Sequence, residues 1–256
     1  MKTKIIILGC GYSLGVPNLD GSWGKCNWKN KKNYRTRCSA IIKKGTNTVL
    51  IDTSPDIRKQ FNDNKIKDIS SVIYTHEHSD QTNGLFELRL FYLKKKEKTN
   101  IYGNKKTINY LKKKFDYCFK HNGYYPPIVK GNLIKKKFSL GQSKNKIKFE
   151  TIELKHGHTK SIIYIFEKIA YVSDCNDLSI IKYKKLYNLN YLIIDCLKFN
   201  ENWAHFNLKD VLYIQSKLKP KKTILTNLHT DMDYNYLISK LPKSIVPAYD
   251  GLKIYS

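Results

Sequence analysis

The sequence predicts one layered domain of mixed α and β structure built on large sheets, and three observations point there. Short apolar, β-branched runs recur between turn signals along the chain. The early runs cluster as hairpins, whereas the later ones alternate with helical patterns, a mixture that suits sheets covered by helices. The chain has 256 residues, 41% hydrophobic and 12% aromatic, enough to bury the core of one large domain. No internal repeat and no Pro/Gly/Ser-rich linker divides it, so residues 1–256 read as a single domain.

In chain order, Lys4 to Leu8 opens as a strand. Lys2 and Lys4 before Ile5 to Cys10 faintly resemble a lipoprotein leader, but the apolar stretch is shorter than the roughly 7 to 15 residues such a leader uses. Ser39 to Lys43, Thr48 to Asp52 and Ser71 to Thr75 follow as strands, then helical patterns over Gly84 to Tyr92 and Thr107 to Phe119. Residues 94–140 read as an insertion or lid-like excursion. Strands resume at Lys148 to Glu153, Ile162 to Glu167, Ile169 to Val172 and Tyr191 to Asp195. A helix over Leu208 to Lys217, a strand over Lys222 to Thr226, a helix over Tyr234 to Leu241 and a strand over Leu252 to Tyr255 complete the pattern. No apolar run approaches the roughly 20 residues of a membrane span, so no membrane partner is expected.

Composition narrows the chemistry. The six cysteines (10, 26, 38, 118, 175, 196) contain no CxxC pair, which argues against a zinc ribbon or thioredoxin-type site and for reduced thiols in the cytoplasm. The net charge of +26 would attract phosphates or any acidic surface. Only four of the 47 basic residues are Arg (35, 37, 58, 89); the rest are Lys, in a chain also rich in Asn, Ile and Tyr. That bias reads as codon usage as much as selection for a polyanion, and the Lys runs at 94–96, 112–114 and 135–137 read as solvated faces. An Arg in a Lys-dominated chain marks a place where a planar fork is needed for a carboxylate or phosphate. Arg35, Arg37 and Arg89 are therefore candidates for substrate phosphate or for internal carboxylates.

The sharpest local feature is Tyr74-Thr75-His76-Glu77-His78-Ser79-Asp80-Gln81, directly after an apolar strand. Residues two apart in extended backbone point the same way, so His76 and His78 can reach one cation, and Asp80, beyond the bend, a second. Imidazole and carboxylate are ligands that Zn, Mn or Fe take. Alone, the motif reads equally as a surface histidine cluster. Three further strand ends carry ligand types: His156 before Gly157, Asp174 after Tyr171-Val172, and His229 after Leu225-Thr226. His158 is the rival to His156, and His205 also follows a strand end. Asp52 and Asp195 read as carboxylates that orient a ligating histidine rather than as ligands.

On these residues the chain resembles the metallo-β-lactamase-fold hydrolases, specifically the PhnP-like group related to phosphoribosyl cyclic phosphodiesterases. The resemblance covers nearly the whole chain: Leu8-Gly9-Cys10-Gly11 to Pro17, Tyr34-Arg35-Thr36-Arg37-Cys38, Ile51-Asp52-Thr53-Ser54-Pro55-Asp56, the His76 motif, Tyr124-Tyr125-Pro126-Pro127, Val172-Ser173-Asp174, and Thr226-Asn227-Leu228-His229 running to Tyr234. It implies a four-layer αββα sandwich with two divalent ions, zinc or manganese, at the sheet edge. His76, His78 and His156 would hold the first ion and Asp80 and His229 the second, with Asp174 bridging. His205 would be catalytic, near the leaving group. Two departures stand out. The usual HxHxDH ends here in Gln81, at most a weak ligand, so the second site should bind weakly or prefer a harder ion such as Mn. Only Cys26 remains of a cysteine cluster that holds a structural zinc in some relatives, so no structural zinc is expected, and Cys10 and Cys38 should pack as small apolar residues.

The implied activity is a metal-dependent phosphodiesterase acting on a small cyclic phosphate or nucleotide-like ester, in which a metal-bound hydroxide attacks phosphorus, Asp80 and Asp174 take part through the ions, and His205 protonates the leaving oxygen. Two other readings stand beside it. One is a ribonuclease-Z-like enzyme whose charge serves RNA. The other is a non-catalytic or cofactor-biosynthesis protein with a decayed second site. A small phosphate ester is the expected partner and nucleic acid the less favoured one; a homodimer is a further candidate assembly.

Overall fold

The computed structural model describes residues 2–121 and 123–256; Met1 and Asn122 lie outside the described residues. Strands β1 (Lys4–Gly9), β2 (Ser39–Lys44), β3 (Asn47–Ile51), β4 (Ser71–Ile73), β5 (Thr99–Gly103), β6 (Val129–Leu133) and β7 (Lys137–Leu140) fill the first part of the chain. β8 (Ile147–His156), β9 (Thr159–Phe166), β10 (Ile169–Val172), β11 (Tyr191–Asp195), β12 (Lys222–Thr226), β13 (Ile245–Pro247) and β14 (Lys253–Tyr255) follow. The helices are α1 (Ile57–Asp63), α2 (Ser79–Thr82), α3 (Arg89–Lys95), α4 (Lys105–Lys114), α5 (Asp116–Phe119), α6 (Leu208–Leu218) and α7 (Tyr234–Lys240).

The described strands form two seven-stranded sheets, in the orders β14-β1-β2-β3-β4-β5-β6 and β13-β12-β11-β10-β9-β8-β7. Each sheet is mixed: antiparallel where hairpins join neighbours, as in β2–β3 and β8–β9, and parallel where a helix crosses over, as in β4–β5 and β11–β12. Side-chain alternation explains the layers. On β1, Ile5 and Ile7 enter the core between the two sheets, whereas Ile6 and Leu8 pack outward with residues of α1, α3 and α4. On β11, Ile193 faces the same central core, while Leu192 and Ile194 join Val211, Ile214 and Leu218 of α6 and Leu237 of α7. Strands buried on both faces read as unbroken apolar runs, which is why they were legible in the sequence. The result is the four-layer αββα sandwich.

Residues 94–140 are not the expected excursion. They supply β5 and β6 at one edge of the first sheet and β7 at one edge of the second, and Ile101, Ile108, Leu111, Phe115, Cys118 and Val129 lie in the outer core of the first sheet. Lys-rich α4 obscured this, because its solvated face carries the charge while Ile108 and Leu111 carry the packing. Its start is set by Asn104, whose side chain accepts from the Thr107 amide; α6 starts on a reciprocal Asn207–Asp210 capping box. No helix among the described residues is long and apolar enough to cross a membrane.

Candidate metal centre

Strand ends build the site. β4 runs out into Tyr74 and Thr75, after which His76 and His78 turn in before α2; β8 ends on His156; Asp174 follows β10; Asn227 follows β12. Three residues here, Asp52 (φ 59), Asp174 (φ 52) and Asn227 (φ 63), take the left-handed backbone conformation without being glycine. That backbone is tolerated by Asp and Asn better than by most residues, and such outliers gather where a side chain must be aimed.

His76, His78 and His156 bring one ligating atom each within 4.8 Å of one another, and His156 forms a second such group with Asp174 and His205. The tautomers follow from the outer bonds. Thr75 donates through its amide (2.8 Å) and its hydroxyl (2.8 Å) to the two oxygens of buried Asp52. Its hydroxyl oxygen therefore accepts from His76 Nδ1 (3.0 Å), which leaves the lone pair on Nε2. His76 is fully buried, that Nε2 has no hydrogen-bond partner, and burial pushes its pKa down to about 3, so the ring is neutral. His156 Nδ1 donates to the Ala204 carbonyl (2.7 Å), leaving its Nε2 lone pair 3.2 Å from His78 Nδ1. Gly157 (φ 53) next to it allows the chain to pass Trp203, whose ring would lie 2.4 Å from a Cβ at that position. His158, the rival of His156, packs instead against the Trp203 ring, at 5.2 Å between centroids.

Beyond the three imidazoles, Asp174 is buried and accepts from Ser173 Oγ (2.5 Å), Gln81 Nε2 (3.2 Å) and Asn227 Nδ2 (3.0 Å). Burial works against its charge, but His76, His156 and His205 hold its carboxyl below the usual carboxylate range. Burial and then the charge of Asp174 lift Asp80 to about 6. His205 Nδ1 donates to buried Asp195 Oδ2 at 2.8 Å and lies 3.8 Å from Asp174 Oδ1. Burial disfavours its charged form, yet the Asp195 carboxylate and hydrogen bond raise its pKa to about 9.

The structure does not bring every expected residue here. His229 belongs to neither ligating group: its Nδ1 pairs with Asp231, and its ring lies 4.5 Å from that of Tyr12. The side chain that β12 delivers to Asp174 is Asn227, a residue that sequence reasoning passed over because it sought a histidine. The signal was positional, since Asn227 follows its strand as Asp174 follows β10. Asp52 reaches His76 only through Thr75, and Asp195 reaches His205 directly. Cys10 and Cys38 are buried but not simply apolar packing: Cys10 Sγ donates to Asp250 (3.4 Å) and Cys38 Sγ to Asn227 Oδ1 (2.9 Å).

The three candidate arginines all have internal partners. Arg37 forks onto Asp56 at 2.8 and 2.6 Å, and Arg89 lies over the rings of Phe86 and Tyr125. Arg35 is 1% exposed and donates to the carbonyls of Met232 (2.7 Å) and His229 (3.3 Å) and to Asn33 Oδ1 (3.1 Å). It ties the loop after β12 to the segment before β2. Arg35→Leu should therefore destabilise the fold by roughly 3 kcal/mol, from stranded buried acceptors, as measured by urea denaturation. Unchanged stability with a raised KM would instead make it a substrate ligand.

Comparison with known proteins places this geometry. A family model described as a β-lactamase superfamily domain matches residues 47–227. The solved structure of a diphosphatase from the PhnP family is 30% identical, covers 100% of this chain and 98% of its own, and superposes with a TM-score of 0.88. The short form of human tRNase Z, 14% identical over 98% of both chains with a TM-score of 0.69, shares the fold. An octanoyltransferase of Porphyromonas gingivalis is 26% identical over 98% of this chain; the chain spans about half (51%) of the length of that curated relative.

Proposed function

This chain belongs to the β-lactamase superfamily and has the fold of its metal-dependent hydrolases, and from that premise we propose that it is a phosphodiesterase acting on a small cyclic phosphate or nucleotide-like ester. The observation that carries the reading is the convergence of three imidazoles on one point, with His76 Nε2 buried and unpartnered there. A buried lone pair without a donor is costly, and a cation would satisfy it together with those of His78 and His156. His76, His78, His156 and Asp174 would hold a zinc-like ion, with Asp80 beside them. When bound, such an ion supplies Lewis-acid polarisation of a phosphoryl oxygen and acidifies water.

The rest of the chemistry falls to the chain itself. Asp52, through Thr75, and the Ala204 carbonyl set the tautomers of His76 and His156. Asp195 clamps His205 by Nδ1, so Nε2 is the nitrogen that can give a proton to a leaving oxygen. One loop thus both orients a ligand, through Ala204, and supplies the acid, His205. A cleft of about 600 Å³ beside the β8–β9 turn is lined by Lys105, Lys106, Lys155 and Lys160, which would draw a phosphate towards the site. The diphosphatase name of the 30% identical structure supports phosphate chemistry. The likeness to tRNase Z speaks for the fold alone, and the octanoyltransferase name belongs to a chain about twice as long. Six free, buried cysteines suit a reducing, cytoplasmic setting.

The test is turnover of bis-p-nitrophenyl phosphate and of a nucleoside 2′,3′-cyclic phosphate by the purified chain. Hydrolysis should disappear on chelation and return with Zn or Mn. Metal-loaded protein that cleaves neither would refute the phosphodiesterase reading. RNA binding whose log affinity falls linearly with log salt would turn the case towards a ribonuclease.

A further inference from the structure

Building on the metal-hydrolase reading, we infer that this chain holds one transition-metal ion rather than two, because the carboxamides of Gln81 and Asn227 occupy the faces of Asp174 at which a second ion would be bound. Gln81 is fully buried, and its Nε2 donates both to Asp80 Oδ2 (3.1 Å) and to Asp174 Oδ2 (3.2 Å). Asn227 Nδ2 donates to Asp174 Oδ1 (3.0 Å). Ionised carboxylates only accept hydrogen bonds, so the amide ends they meet are NH₂ groups, which have no lone pair to offer a cation. Asn227 is held in this sense from its other side too, since its Oδ1 accepts from Cys38 Sγ at 2.9 Å.

The remaining candidate for the second ion does not compensate. His229 has its Nδ1 on Asp231 and its ring against Tyr12, and it lies outside both groups of converging ligand atoms. The second position is left with the carboxylates of Asp80 and Asp174, which already accept amide hydrogen bonds from Gln81 and Asn227. The first position keeps three imidazoles, with Asp174 grouped with one of them, His156; this nitrogen-rich set suits zinc or cobalt over manganese or magnesium.

Metal content of the full chain, loaded with excess Zn(II), desalted and measured by mass spectrometry, tests this. One ion per chain is expected for the wild type and for His229→Ala, and two for the double variant Gln81→His/Asn227→His. Gln81→Glu, nearly isosteric, replaces the amide donor by a carboxylate and should by itself admit a weaker second ion, seen by calorimetric titration. Two ions in the wild type would overturn the inference, as would loss of the ion in His229→Ala or a folded double variant that stays at one. No ion in any of the proteins would bring down the metal-hydrolase reading itself, a result distinct from a count of two. The wild-type count stands whether or not the variants fold.

Discussion

Asp174→Asn is expected to abolish both metal retention and hydrolysis while the fold survives. Asn keeps the size of the side chain and tolerates the left-handed backbone (φ 52) that an alanine would strain. It removes the anionic oxygens that lie by His205 and His156, and it sets a third amide against those of Gln81 and Asn227. Gln81 keeps Asp80 as an acceptor, so the loss is of charge-assisted bonds to residue 174, about 1 to 3 kcal/mol, a modest loss for a domain of this size. Removing an outer-shell partner of a metal ligand weakens metal binding by about 10- to 100-fold. Loss of a carboxylate that itself faces the ion should exceed that, so metal content measured after desalting should fall towards zero. Wild-type metal affinity in the Asp174→Asn protein would show that Asp174 is no ligand.

His205→Ala should do the opposite: metal content unchanged, but turnover lowered by roughly 10² or more. The side chain touches Asp195 and Asp174 and lies beside His156, but none of its bonds is needed to set the tautomers of His76 or His156, which depend on Thr75 and the Ala204 carbonyl. If its task is to protonate the leaving oxygen, the loss should be large for an ester with an alkoxide leaving group. It should shrink for bis-p-nitrophenyl phosphate, whose phenolate departs without a proton. Equal losses on both substrates would make His205 a residue that positions Asp174 instead. Loss of metal from the variant would make it a ligand.

Much of the fold was legible because strands buried on both faces must be apolar at every position. Ile5 to Leu8 and Tyr191 to Ile194 therefore announce themselves without an alignment. Residues 94–140 did not, because an edge strand such as Val129–Leu133 and a lysine-faced helix such as Lys105–Lys114 bury one side only, and lysine dominates what remains visible. The pairing of Asp52 with Thr75 and of Asp195 with His205 was foreseeable only in kind: a carboxylate at a strand end orients something, but which imidazole it reaches depends on register.

What the sequence determined by itself is the inventory: layered sheets and helices, with imidazoles and carboxylates placed at strand ends; the αββα order and the histidine usual at position 81 came from the family resemblance. Only the tertiary structure decided that Asn227 rather than His229 faces Asp174, that Arg35 is buried and tied to the Met232 carbonyl, and that Gln81 turns its NH₂ to two carboxylates. The reason is that residue type governs what a side chain can bind, whereas the backbone angle at the end of a strand governs where it is aimed. A one-residue change in that aim carries a ligand out of a site only a few ångströms wide.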